Sequence, residues 1–182
     1  MAALVAALLA QASDRGVWLA ARLGDRFDRH WTSVAGLVIA LVGINAIAAA
    51  GATLIAPMLT PNASALLLAL ALISAGGAAL FAPKPPAETF RGGAFIASLA
   101  ALLALGIGDR TQFITFALAA RTPIPALAAI GSTLGGLVIL VPAMLAGERA
   151  YRGLPNRAIR LPIAALLLIV GAIVGLGALR LL

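Results

Sequence analysis

From Phe95 to Ala120 the sequence is almost wholly apolar, yet near the middle of that run stand Asp109, Arg110 and Gln112, in the stretch LGIGDRTQFITFALAAR. A run of this length suits a bilayer, since ~20 residues rising 1.5 Å each cross a ~30 Å hydrocarbon core. Ionisable groups at such depth cost at least ~2.5 kcal/mol each, so they are rare and by default functional. The bland alternative is an Asp and an Arg that pair only to lock helices together. A fainter copy of the pattern near the N-terminus, AQASDRGVWLAARLGDR, weighs against it, with Asp14 and Arg15 in the equivalent places.

Composition points the same way. Of 182 residues 63% are apolar and 10% charged, and the mean hydropathy is +1.10. That is more apolar surface than a soluble domain of this size requires. Ala and Gly dominate, and small residues let helices approach closely where packing replaces the hydrophobic effect. The net charge of +7 would suit nucleic acid if the basic residues shared a soluble face. They lie instead in short loops between apolar runs, which is an insertion signal, so nucleic acid is not expected. Without cysteine there is no disulfide, thiolate metal site or thiol nucleophile. His30, in RHWT, is expected at a membrane interface rather than in a ligand set. With no Ser/His or His/carboxylate arrangement, the chain is not expected to be an enzyme.

Six membrane helices are expected. The opening MAALVAALLAQA resembles a secretory signal but lacks a basic n-region, and apolar character resumes at Val17 to Ala21. Residues 2–22 therefore read as a first helix with Asp14 and Arg15 inside it. The others are 33–55, carrying Asn45; 64–81, with Gly76 and Gly77; 94–120; 126–146, with Pro142 as an expected kink; and 161–179. The fold class is all-α, a single integral membrane domain over 1–182, with a Pro-rich linker at 83–93. With six spans, Arg22, Arg26, Arg29, Lys84, Arg91, Arg149, Arg152, Arg157 and Arg160 share one side, against Arg121 and Arg180 on the other. The positive-inside rule then puts the linker in the cytoplasm and both termini outside.

The halves repeat at an offset of 95: Asp14 on Asp109, Arg15 on Arg110, Arg26 on Arg121, Gly36 on Gly131, Ile44 on Ile139. Three helices per half is an odd number, so halves 2–82 and 94–182 are expected to insert with opposite topology. Such inverted repeats are found in secondary transporters, whose sites lie near the midplane.

The stretch GIGDRTQ resembles the E-x-G-D-[KR]-[ST]-Q signature of the transmembrane protein 165 / Gcr1-dependent translation factor family. Those membrane proteins have six helices in two motif-bearing halves and are regarded as manganese or calcium exporters that exchange the cation for protons. The resemblance covers nearly the whole chain, including GSTLGGLVILVPAMLAG in the fifth helix. Gly108, Asp109, Arg110, Thr111 and Gln112 match the signature, while its leading glutamate falls on Gly106. In the first half Asp14 and Arg15 match, and the glutamate falls on Gln11.

The resemblance implies a divalent cation–proton antiporter in the bacterial inner membrane, with Mn2+ or Ca2+ as cargo and no resident cofactor. Asp14 and Asp109 would be the metal carboxylates, with Gln11 and Gln112 beside them and Arg15, Arg110 and Thr111 tuning the site. On helix geometry Gln112 lies one turn from Asp109, and Gln11 likewise beside Asp14. Gly106 and Gly108 either loosen the helix as a hinge or allow close packing. Expected partners are the lipid bilayer, metal cations and protons, with a homo-oligomer left open. The competing reading is a non-transporting scaffold held by crossed Asp14–Arg110 and Asp109–Arg15 salt bridges, in which each acid is balanced by an arginine.

Overall fold

The computed structural model describes residues 1–27, 30–83 and 92–180. Among them all regular structure is helical: α1 Ala2–Ala12, α2 Arg15–Arg26, α3 His30–Ile55, α4 Pro61–Ala79, α5 Ala94–Gly106, α6 Arg110–Ala119, α7 Pro125–Gly153 and α8 Asn156–Ala178, with a short 3₁₀ turn over Ala56–Met58. The four helices α3, α4, α7 and α8 fall on expected spans and are each long and apolar enough to cross a membrane. Of the expected linker, residues 84–91 lie outside the described residues.

The two spans that carry the motifs are not continuous helices. The first expected helix breaks between Ala12 and Arg15, and the fourth between Gly106 and Arg110 with a bend of 69° between α5 and α6. Capping chemistry is the cause. Asp14 Oδ2 accepts the Gly16 N–H at 3.2 Å, and Asp109 Oδ2 accepts the Thr111 N–H at 3.2 Å. Each aspartate thus satisfies a free donor at the start of a new helix, a position that Asp strongly favours. A count by length and apolarity gives four spans, or five with the bent α5–α6 pair as one, rather than six continuous helices. Neither α1, with 11 residues, nor α2, with 12, is long enough alone.

The offset of 95 recurs in the helix starts: Arg15, His30 and Pro61 open α2, α3 and α4, and Arg110, Pro125 and Asn156 open α6, α7 and α8. It recurs in packing as well. The broken pair α1–α2 lies against α7, the pair α5–α6 lies against α3, and α3 and α7 pack on each other. A Cβ on Gly36 would stand 3.1 Å from the Leu99 nitrogen, and one on Gly131 would stand 3.2 Å from the Leu4 nitrogen. Both glycines let backbones meet at the same relative place, 95 residues apart. To one side, α4 pairs with α8. The innermost apolar side chains, Leu37, Ile114, Leu140 and Met144, come from α3, α6 and α7, around the helix breaks.

Pro142 leaves α7 with helical dihedrals; the helix departs from them at Gly147, where φ is 79° and ψ 174°. The left-handed φ favours glycine, and a side chain there would strike the Asp25 carboxylate. Asp25 Oδ2 accepts the Glu148 N–H at 2.7 Å, satisfying a donor next to the break. Glu148 Oε1 in turn accepts from Trp18 Nε1 at 2.9 Å and Arg152 Nη2 at 2.8 Å, while Trp18 stacks on Tyr151 with ring centroids 5.8 Å apart. These contacts bind α2 to the end of α7 from Trp18 in its first turn to Asp25 in its last, and so hold its cap Asp14 in place.

Candidate functional site

The two breaks meet. Gln11, Asp14, Asp109, Thr111 and Gln112 line one cavity of about 30 Å³, walled by Leu41, Ile44, Leu102 and Leu140. That is room for about one water-sized sphere. The expected residues Gly106 and Gln11 belong to it, and so does Gly16, where a methyl would stand 3.3 Å from Gln11 Oε1 and 3.4 Å from Asp14 Oδ2. Asp109 and Gln112 also reach an outer groove between α3 and α6 with Gly51, Phe113 and Phe116.

Both carboxylates are withdrawn, the Asp14 side chain 6% and that of Asp109 8% exposed. One guanidinium serves both. Arg110 Nη2 donates to Asp14 Oδ1 at 3.1 Å, while its Nε lies 4.0 Å from Asp109 Oδ1. Of the crossed bridges of the scaffold reading, only this one forms. Arg15, at the equivalent position, is exposed, and among the described residues no ion pair joins it to Asp109. The site with all groups ionised therefore carries −1 from two Asp and one Arg, rather than the neutral balance that two inward arginines would give.

Gln112 is only partly available as a ligand. Its Oε1 accepts the Gly108 N–H at 2.6 Å and its Nε2 donates to the Ile44 carbonyl at 3.3 Å. With Asp109 as cap and Gln112 three residues on, the start of α6 is built like a capping box. Gly108 adopts φ 78°, and α5 ends at Gly106, so both glycines lie at the break itself. No group of three or more His, Cys, Asp or Glu side chains that could hold a metal is found among the described residues. Any hard cation here would have two carboxylates and otherwise neutral oxygens.

Sequence reasoning left Asn45 outside the site. It lines the same cavity, donates from Nδ2 to Thr133 Oγ1 at 3.0 Å, and its Oδ1 lies 3.1 Å from the Thr115 hydroxyl. That hydroxyl also lies 3.0 Å from the Thr111 carbonyl, and its single proton serves one acceptor at a time. A polar thread thus leads from the cavity between α3, α6 and α7. The signal was present: an amide in the middle of an apolar span must find partners, and those partners lie where polar groups gather.

Residues 94–180 match the sequence model of the family described as divalent cation/proton antiporter GDT1. Over 164 residues, 88% of this chain and 82% of the relative, the sequence is 29% identical to a protein of Vibrio cholerae serotype O1 named "Putative manganese exporter". No solved structure matches. The matched half contains the GIGDRTQ break, and the relative's alignment extends over most of both halves. Over residues 94–180 the chain is thus similar to the family of divalent cation/proton antiporter GDT1, and over most of its length to a protein named as a manganese exporter.

Proposed function

We propose that the protein exports manganese or calcium from the cytoplasm in exchange for protons, binding the cation between Asp14 and Asp109. The observation that carries this reading is the shared cavity: two aspartates 95 residues apart, each at a helix break, line one small chamber. Discontinuous helices facing each other across a repeat interface are the usual make-up of secondary-transporter sites. Gln11 contributes an amide oxygen, and protons compete with the cation for the same two carboxylates. The relative named as a manganese exporter supports manganese as first choice.

The recurrence of helix starts and glycine contacts at one offset supports two inverted halves, 2–82 and 94–182, within a single domain. In that arrangement the broken pairs α1–α2 and α5–α6 are each one interrupted crossing, and six crossings put the linker on the same side as the basic loops. In proteoliposomes, an imposed pH gradient should drive Mn2+ or Ca2+ flux, and collapsing the gradient with a protonophore should stop it. Cation flux indifferent to the gradient would remove the proton from the scheme, and no flux above that of protein-free vesicles would remove transport.

The orientation is open to a simple test because the chain has no cysteine. A cysteine introduced at Ala87, in the linker, should resist an impermeant maleimide in intact bacterial cells and react after the membrane is opened. Labelling in intact cells would reverse the sidedness and turn export into uptake.

A further inference from the structure

We propose that Arg110 is a resident stand-in for the transported cation, holding the cation's place between Asp14 and Asp109 and leaving when the ion enters; this rests on the transport reading given above. Three observations lead to it. The guanidinium bridges the two acids, 3.1 Å from Asp14 Oδ1 and 4.0 Å from Asp109 Oδ1, which is where a shared cation would sit. The cavity that both acids line, about 30 Å³, is small. A hard divalent cation takes six or more oxygens, so in a site with only two acids it needs the carboxylate oxygens that now face the guanidinium. Finally, the second motif arginine, Arg15, is exposed instead of facing the acids. Only one arginine is thus committed to the acids, and the arrangement is not a symmetric lock.

Charge decides between sharing and exchange. Two aspartates with Arg110 total −1, and with a divalent ion alone they total 0. Ion and guanidinium together would leave +1 around the two aspartates, next to a chamber walled by Leu41, Ile44, Leu102 and Leu140. Like charges at close range in such surroundings repel strongly, so the two cations alternate. Arg110 is 32% exposed, and its long side chain can withdraw toward the surface without crossing packed core. After the ion has left, the guanidinium returns, and together with the protons carried in exchange it offsets the two carboxylates while the cation-free carrier resets. Arg110 is therefore a positioning and specificity residue of the transport cycle: it sets how tightly a cation must bind to evict it, and it eases the return step.

The experiment uses the full chain in proteoliposomes with radioactive Mn2+. Arg110→Gln should bind Mn2+ more tightly, by about tenfold, and lose net efflux by a similar factor, while Mn2+/Mn2+ exchange falls less than net efflux because exchange never needs the cation-free carrier to reset. An arginine that merely braces the helices predicts instead that binding, net flux and exchange fall together, and that outcome would overturn the inference. In case Arg110→Gln does not fold, the unaltered protein gives an independent reading. Phenylglyoxal modification of Arg110, followed by peptide mass spectrometry with Arg15 as internal reference, should accelerate when Mn2+ is added. Reactivity unchanged or reduced by Mn2+ would overturn the inference. A parent protein that neither binds nor moves Mn2+ would overturn the transport reading itself, whereas a parent that transports while failing either test of Arg110 would leave that reading standing.

Discussion

Asp14→Asn should reduce cation flux to background while leaving a folded protein, whereas Asp14→Ala should lose flux and fold stability together. The difference follows from the two tasks of one carboxylate. As the cap of α2 it accepts the Gly16 N–H, which the asparagine oxygen can also do, and Asn and Asp are near-equal at this position. Alanine cannot cap, at a cost of about 1 kcal/mol. As a charge, Asp14 pairs with Arg110 and supplies half of the negative charge in the cavity. Asparagine supplies none, leaving one acid for a divalent ion. The same contrast should hold at Asp109, where Thr111 N–H is the capped donor. Thermal unfolding in detergent separates the effects: Asn variants should melt near the parent, Ala variants below it. An Asp14→Asn protein that still moves Mn2+ at the parent rate would show that the paired aspartates are not the site.

How far the sequence alone reached can be judged from particular residues. The helices α3, α4, α7 and α8 were legible because apolar length is a coarse signal that needs no neighbours. The pairing of Asp14 with Asp109 was legible through the offset of 95, and both line one cavity. The break before Arg15 was not foreseen, and the one after Gly106 only as one of two readings of its glycines, since an apolar average over ~20 residues passes smoothly across two polar ones. The local chemistry did carry them: Asp before Arg-Thr-Gln, with glycines on either side of Ile107, is a capping sequence. Two features lay beyond reach in principle. The repeat makes Arg15 and Arg110 equivalent, and only tertiary packing turns one inward and the other out. Likewise the departure of α7 at Gly147 rather than at Pro142 depends on Asp25, more than a hundred residues away, meeting the Glu148 N–H.

The largest gain should come from returning the two acids that the family signature places at 11 and 106. Gln11 and Gly106 both line the cavity with Asp14 and Asp109. Gln11→Glu with Gly106→Glu would change its charge from −1 to −3, which a divalent ion and the Arg110 guanidinium together would neutralise. A cation could then bind without evicting Arg110. Space at position 106 is the obstacle, because a Cβ there runs into the end of the Ile44 side chain. Ile44→Val removes that terminal methyl at a cost of about 1 kcal/mol. Position 106 has no positive φ, unlike Gly108, so a glutamate is compatible with the backbone. The triple variant should bind Mn2+ about 100-fold more tightly than the parent, near 2.7 kcal/mol, and Asp109→Asn should cancel most of that gain. Titration of Mn2+ binding by calorimetry, run beside Ile44→Val alone, isolates the contribution of the acids. A folded triple variant with parental affinity would mean that neither glutamate reaches the ion, and that the cavity around Asp14 and Asp109 is not where the cation is held.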